Sequence, residues 1–206
     1  MTKLDRASVI RAALDLLDEV GVDGLTTRKL ADRLDVQQPA LYWHFRNKRA
    51  LLDALAEAML TQRHRRSLPV VGEDWQVFLK ENAHSFRNAL LAYRDGARIH
   101  AGTRPSAPQF GVIEAQIRFL CNAGFSPTDA AHALIAISHY TVGAVMEQQG
   151  YEANAPTRQM GADADVPEPS AFLQQLFDEI GAQGPDATFA LGLDALVDGL
   201  EVRRAG

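Results

Sequence analysis

The spacing of apolar residues is the tightest constraint on what this chain can fold into. Val9, Ile10, Ala13, Leu16, Leu17 and Val20 recur three and four positions apart, and Gly21 follows them. That spacing lines one side of a helix, and a glycine is a natural place for the helix to stop. The period returns at Leu30, Ala31 and Leu34, and at Leu51, Leu52, Leu55 and Met59. It returns again at Trp75, Phe78, Leu79, Phe86, Ala89 and Leu90, and at Ile113, Ile117 and Leu120. No segment alternates with the two-residue period of a half-buried strand. The expected fold is therefore all-α.

Local signals punctuate the helices. Thr26 or Thr27 can cap a short second helix, and Asp35-Val36-Gln37 is a tight link. Pro39 suits the first turn of a third helix, where its missing N–H costs nothing. Asn47 can cap a fourth helix over about 48–63. A polar break from Pro69 to Asp74 precedes the fifth. From Ala130 to Val145 the sequence is apolar on nearly all sides, which suits a central helix or a subunit interface. Residues 151–169 hold three prolines and little apolar content, which predicts a mobile loop. Helices over about 170–180 and 186–203 follow. The 206 residues have room for a small domain and a larger one. The division expected is 1–47, then 48–206 with 48–63 as connecting helix.

The single cysteine, Cys121, rules out an intramolecular disulfide and a cysteine-built zinc site within one chain. The N-terminal stretch lacks the apolar run of a signal peptide or membrane anchor, so a cytoplasmic protein with no membrane partner is expected. The net charge of −5 is unevenly spread. Residues 1–66 carry +3 and the remainder −8, while 24–52 alone carry +4. A basic patch on an acidic body suits a protein that presents one end to phosphates.

Within that patch, "LDVQQPALYWHFRNKRALLDAL" places Tyr42, Trp43, His44 and Phe45 side by side. A core helix would space its rings three and four apart. Two short helices joined by a tight link, the second rich in amide and ring side chains, describe a helix-turn-helix. The second helix would enter the major groove of double-stranded DNA. Gln38 can pair with an adenine edge and Arg28 with guanine, while Pro39 and Ala40 offer small apolar contacts to thymine methyls. Thr27, Tyr42, Trp43, His44 and Lys48 can reach the sugar-phosphate backbone, which positions the reader. Leu41 and Phe45 are expected to fill the small core instead.

The larger body carries polar side chains on apolar stripes. Asn82 shares the stripe of Phe78 and Phe86, Gln116 that of Ile113 and Leu120, and His64 ends the fourth helix. A buried polar group without a partner costs about 1–3 kcal/mol. An internal hydrogen bond or a polar ligand would each satisfy these groups.

The segment "GLTTRKLADRLDVQQPALYWHFRNKRALLDALA" resembles the DNA-binding end of the TetR family. "YRDGARIHAGTRP" and "SHYTVGAVMEQQ" extend the resemblance through most of the chain, most closely to the family's tetracycline-responsive members. The resemblance implies a homodimeric repressor that binds a palindromic operator and is released by a tetracycline–Mg²⁺ complex, controlling an efflux gene. It implies that His64, Asn82, Phe86 and Gln116 hold the drug. It also implies that His100, Thr103, Arg104 and Pro105 lie beside the metal, with Ser138 and His139 near the pocket. His100 would ligate Mg²⁺, Thr103 would reach it through water, and so would Glu147 of the partner subunit. Val112, Leu134 and Val145 would furnish walls, and Ala131 is smaller than the residue expected at its place. Mg²⁺ is implied by the resemblance alone, since an imidazole by itself suggests a transition metal.

Other classes fit less well. A TetR-like repressor for a different small molecule would share the DNA end. A di-iron helix bundle needs two Glu-x-x-His motifs, and the sequence has one, at Glu81 and His84. Nucleophile-elbow, dinucleotide-loop and Walker sequences are absent, so no enzyme activity is expected. A purely architectural DNA-binding protein would leave the large acidic body unexplained.

Overall fold

The computed structural model describes residues 4–160 and 169–204, with the side chains of 154–160 excepted. The described residues form helices only. The first is α1 (Arg6–Gly24). Its N-cap is Asp5, whose carboxylate accepts the Ser8 N–H at 2.7 Å. Gly21 does break the helix, at φ 70, and one further turn follows it. A side chain there would be strained by that backbone angle and would meet the Asp95 carboxylate at 2.9 Å. The space is used instead by a hydrogen bond of 2.8 Å from the Val22 N–H to Asp95 Oδ2.

α2 (Thr27–Arg33) is capped by Thr26, which accepts the Lys29 N–H at 3.2 Å. α3 (Gln38–Tyr42) is one turn and a half, with Pro39 in its first turn. α4 (Lys48–Arg63) starts at Asn47, whose side chain accepts the Ala50 N–H at 2.8 Å. α5 (Trp75–Leu91), α6 (Gly96–His100) and α7 (Ala107–Asn122) follow. The last two helices are α8 (Pro127–Met160) and α9 (Ala171–Arg204), the latter kinked at Gly184 before Pro185. The two helices expected over 170–180 and 186–203 are the arms on either side of that kink.

The loop expected over 151–169 needs correction. The backbone stays helical to Met160, and residues 161–168 lie outside the described set. Gln148 Nε2 donates to Glu152 Oε1 at 3.0 Å, one helical turn on, across the point where the loop was expected to begin. Pro156 removes one helical N–H, which costs stability locally without ending a helix that is long on its N-terminal side.

Buried apolar side chains form two clusters. One joins Val9, Leu17, Leu30, Leu41 and Phe45 to Leu51, Leu55 and Met59 of α4, and onward to Phe86, Leu90, Ile99 and Val145. The other joins Trp75, Phe78 and Leu79 of α5 to Leu120, Phe125, Ile137, Phe189 and Val197. Each fully buried leucine contributes about 1.5–3 kcal/mol, so the first cluster welds the small N-terminal unit to α4 and to the body. α5 and the second arm of α9 run antiparallel, linked by Gln76–Glu201, Lys80–Asp194 and buried Arg87–Asp186. Ile135, Met146, Phe172, Phe177, Leu191 and Val202 remain exposed along α8 and α9.

Candidate functional site

The reading face is built by three short pieces of chain. Leu41 and Phe45 turn inward, 3% and 6% exposed, and anchor α3 to the small core. Anchoring them there forces their neighbours out: Tyr42 is 50% exposed and Trp43 89%. Arg28, Pro39 and Lys48 are also exposed, and Thr27, Gln38, Ala40 and His44 are half-buried. Gln38 Nε2 donates to Thr27 Oγ1 at 2.7 Å, so the first residues of α2 and α3 orient one another. The second amide hydrogen and the carbonyl oxygen of Gln38 stay available for a base edge. Lys48 Nζ reaches the Val22 carbonyl at 3.4 Å. The residues expected to touch DNA thus belong to α2, α3 and the turn into α4.

The second site lies where α4, α5 and α6 meet. Asn82 and Phe86 are one turn apart on α5. The Phe86 ring sits between two imidazoles, 5.8 Å from His64 and 5.0 Å from His100, centroid to centroid. Asn82 Nδ2 donates to the Arg66 carbonyl at 2.9 Å and lies 3.3 Å from His64 Nε2. The amide is a donor, so Nε2 accepts, and His64 Nδ1 carries the hydrogen given to Ser85 Oγ at 3.0 Å. Ser85 Oγ also accepts the Arg66 N–H at 3.1 Å. Gln116 Nε2 donates to the Ser67 carbonyl at 2.7 Å. His64, Asn82 and Gln116 therefore converge on one strip of chain, 64–67, and each makes an internal hydrogen bond there.

Burial, with a smaller contribution from nearby His100, pushes the His64 imidazole down to about 4. Burial also lowers His100. Both rings are neutral at pH 7 and keep a lone pair. His100 Nδ1 is buried and has no hydrogen-bond partner. Beyond it the chain turns: the His100 carbonyl accepts the Thr103 N–H at 3.0 Å and the Thr103 hydroxyl at 2.8 Å. His100, Thr103, Arg104, Ser106 and Gln109 line a cleft of about 240 Å³ whose other wall is α4 with Arg6.

These groups offer one corner of a metal site whose other ligands must come from outside them. Among the described residues no group of three or more His, Cys, Asp or Glu could cage a metal. One neutral imidazole with an unpartnered nitrogen beside a threonine hydroxyl suits an ion that keeps its waters and takes its remaining oxygens from a ligand.

Not every expected residue joins this array. Pro105 is exposed in the turn after it, Val145 is buried in the first cluster, and Ser138 is half-buried on α8. His139 and Glu147 are exposed on α8. Among the described residues, no hydrogen bond, ion pair or ring contact ties Ser138, His139 or Glu147 to the pocket within one protomer. Ser85 and the carbonyls of Arg66 and Ser67 were not expected. Ser85 stands on the flank of the α5 stripe, and backbone carbonyls leave no mark in a sequence.

A helix-turn-helix head and an array of inward-facing polar side chains in the body thus share one chain whose described residues form helices and no strand. The chain belongs to the TetR family. Residues 9–55 match the bacterial regulatory proteins of the tetR family, and 68–204 match the tetracyclin repressor-like C-terminal domain. It is 63% identical to the class G tetracycline repressor protein of Vibrio anguillarum, over 100% of this chain and 97% of that one. The crystal structure of TetR from Acinetobacter baumannii AYE superposes with a TM-score of 0.84 at 61% identity, covering 99% of this chain and 100% of the other. The class A TetR in complex with 5a,6-anhydrotetracycline and magnesium does so with a TM-score of 0.78 at 56% identity, covering 96% and 98%.

Proposed function

We propose that the protein is a cytoplasmic, homodimeric transcriptional repressor, released from a palindromic operator by a tetracycline bound together with Mg²⁺. One observation carries this reading: the His64–Phe86–His100 array with Asn82 lies against α4, the helix that also anchors the reading head. The relative solved with anhydrotetracycline and magnesium supports the choice of ligand. Residues 1–47 read DNA, 48–206 bind ligand and dimerise, and α4 connects the two.

His64, Asn82, Phe86 and Gln116 bind and orient the drug, exchanging hydrogen bonds now made to 64–67. Arg104 and Pro105 shape the turn beside it, and Ser138 and His139 border the pocket. Mg²⁺ would be held by His100 and, through water, by Thr103 and by Glu147 of the partner subunit, and it would neutralise the drug's keto-enolate oxygens. A drug releases DNA only if it favours the off-DNA arrangement of the two heads.

Dimerisation buries the apolar face left open on α8 and α9, and two-fold symmetry lets two short helices read two half-sites about 34 Å apart. No helix among the described residues is long and apolar enough to cross a membrane.

Calorimetry with a tetracycline, with and without Mg²⁺, tests the reading. Binding that requires the metal, and that dissociates the protein from operator DNA, is the expected result. Metal-independent binding, or none, would point to a different small molecule.

A further inference from the structure

One side chain ties the turn after α6 to α4. Arg49 lies in the first turn of α4, and its Nη2 donates to the Gly102 carbonyl at 2.6 Å, across 53 positions of sequence. Its Nε pairs with Asp53 Oδ1, one turn further along α4, at 2.9 Å. A guanidinium is planar, and its N–H directions are fixed relative to one another. Asp53 therefore aims the donors that Arg49 has left. Both side chains are about half exposed, so the pair adds little to stability. Its value is directional.

The acceptor lies where the pocket's state would be expressed. Gly102 sits between His100 and Thr103 in the closed turn, at φ 72, and a Cβ there would meet nothing within 4 Å. The backbone angle, not crowding, calls for glycine. The direction of the Gly102 carbonyl therefore follows the conformation of the turn. The donor lies where movement would reach DNA. The first turn of α4 also holds Lys48, which touches the Val22 carbonyl, and Leu51, buried with Leu41 and Phe45 of the reading head. Apolar packing between α4 and α6 has no preferred direction and tolerates sliding. A hydrogen bond to one carbonyl does not.

We propose that Arg49 is the positioning residue that relays the state of the 100–103 turn to the reading head, by fastening the Gly102 carbonyl to the first turn of α4. The assignment rests on the reading of the protein as a drug-released repressor.

The test compares the dissociation constant of tetracycline, in Mg²⁺, for the free protein and for the protein saturated with a palindromic operator selected from random duplexes. The ratio of the two measures the coupling. In R49A it falls at least ~10-fold, within the usual range of such couplings. Drug affinity of the operator-free variant stays within about threefold of the parent, as for a surface change. A merely structural role would move the melting temperature or that affinity and leave the ratio alone. R49K keeps the positive charge but lacks the planar fork, and it shows the same fall. An unchanged ratio in R49A, or a parental ratio in R49K, overturns the tether. A parent that tetracycline does not release from its operator overturns the repressor reading and the tether with it, so the two failures are distinct.

Discussion

The reading face and the ligand pocket are both clusters of polar and ring side chains, yet they wait for their partners in opposite ways. On the reading face, Trp43, Tyr42 and Arg28 stand in water, and water satisfies them. In the pocket, His64, Asn82 and Gln116 are bonded to Ser85 and to the carbonyls of Arg66 and Ser67. A surface can leave its groups free because solvent hydrogen-bonds them at no cost to the fold. An interior site must supply substitutes, since each unpaired group costs about 1–3 kcal/mol. A ligand entering the pocket therefore exchanges bonds, while DNA arriving at the head displaces water and counterions.

The comparison breaks most visibly at His100, whose buried Nδ1, like Ser106 Oγ in the same cleft, has no substitute partner. His100→Ala should bind operator as the parent does yet need at least ~100-fold more tetracycline for release, as expected when a metal ligand is lost. Gel-shift titrations in Mg²⁺ read this directly, and EDTA should make the parent behave like the variant. Normal release in either case would remove His100 from the trigger.

The next effect is a pH dependence confined to the pocket. His64 stands at about 4 when folded against about 6.5 in an unfolded chain. The folded value is depressed, so the unfolded state takes up the proton first. The contribution to stability is complete above pH 6.5 and is lost as pH falls through the folded value near 4, amounting to on the order of 3 kcal/mol. Urea midpoints of the parent and of His64→Gln, measured from pH 7 to pH 4, should converge in that window. Parallel curves would mean that the ring is not held neutral.

Smaller effects belong to the reading face. Gln38→Ala should relax base preference at one operator position by about 1–3 kcal/mol, measured by competition among single-base variants of the operator. Lys48→Ala should weaken all sequences alike and lower the salt slope by about one phosphate contact. Binding isotherms over a salt series separate the two, and the reverse pattern would exchange their roles.

The sequence revealed local features well. Asn47 caps the helix it was expected to cap, Thr26 proves to be the cap of the two threonines offered, Pro39 opens α3, and Gly21 interrupts α1. The inward turn of Leu41 and Phe45, and with it the exposure of Trp43, also followed from ring spacing. Contacts between distant segments left no such trace. The Asp95 bond to Val22, the Ser85 bond to His64 and the Arg49 bond to Gly102 join positions 73, 21 and 53 apart. α6 has five residues, too few to show a period. Prolines in 151–169 suggested a loop because composition is averaged over the window, whereas a helix already running from Pro127 extends past a single unfavourable residue. Phe86, His100, Thr103, Arg104 and Pro105 came from family resemblance. Polarity on apolar stripes singled out His64, Asn82 and Gln116. For these an internal hydrogen bond is the commoner arrangement one by one, and a ligand gains weight from the three together; the structure shows the bonds.

The two tryptophans of the chain occupy opposite environments. Trp43 is 89% exposed at the tip of the reading head, and Trp75 is 5% exposed, edge-on to Phe125 with the Arg204 guanidinium over its ring. Indole emission shifts to the red in mobile water and to the blue in an apolar enclosure. The molecule thus carries two spectrally separable lamps. Iodide or acrylamide will extinguish the outer one first, and operator DNA will shield it. The inner one will change colour only when α5 parts from the bundle. Head occupancy and body unfolding can therefore be followed in one cuvette without a label.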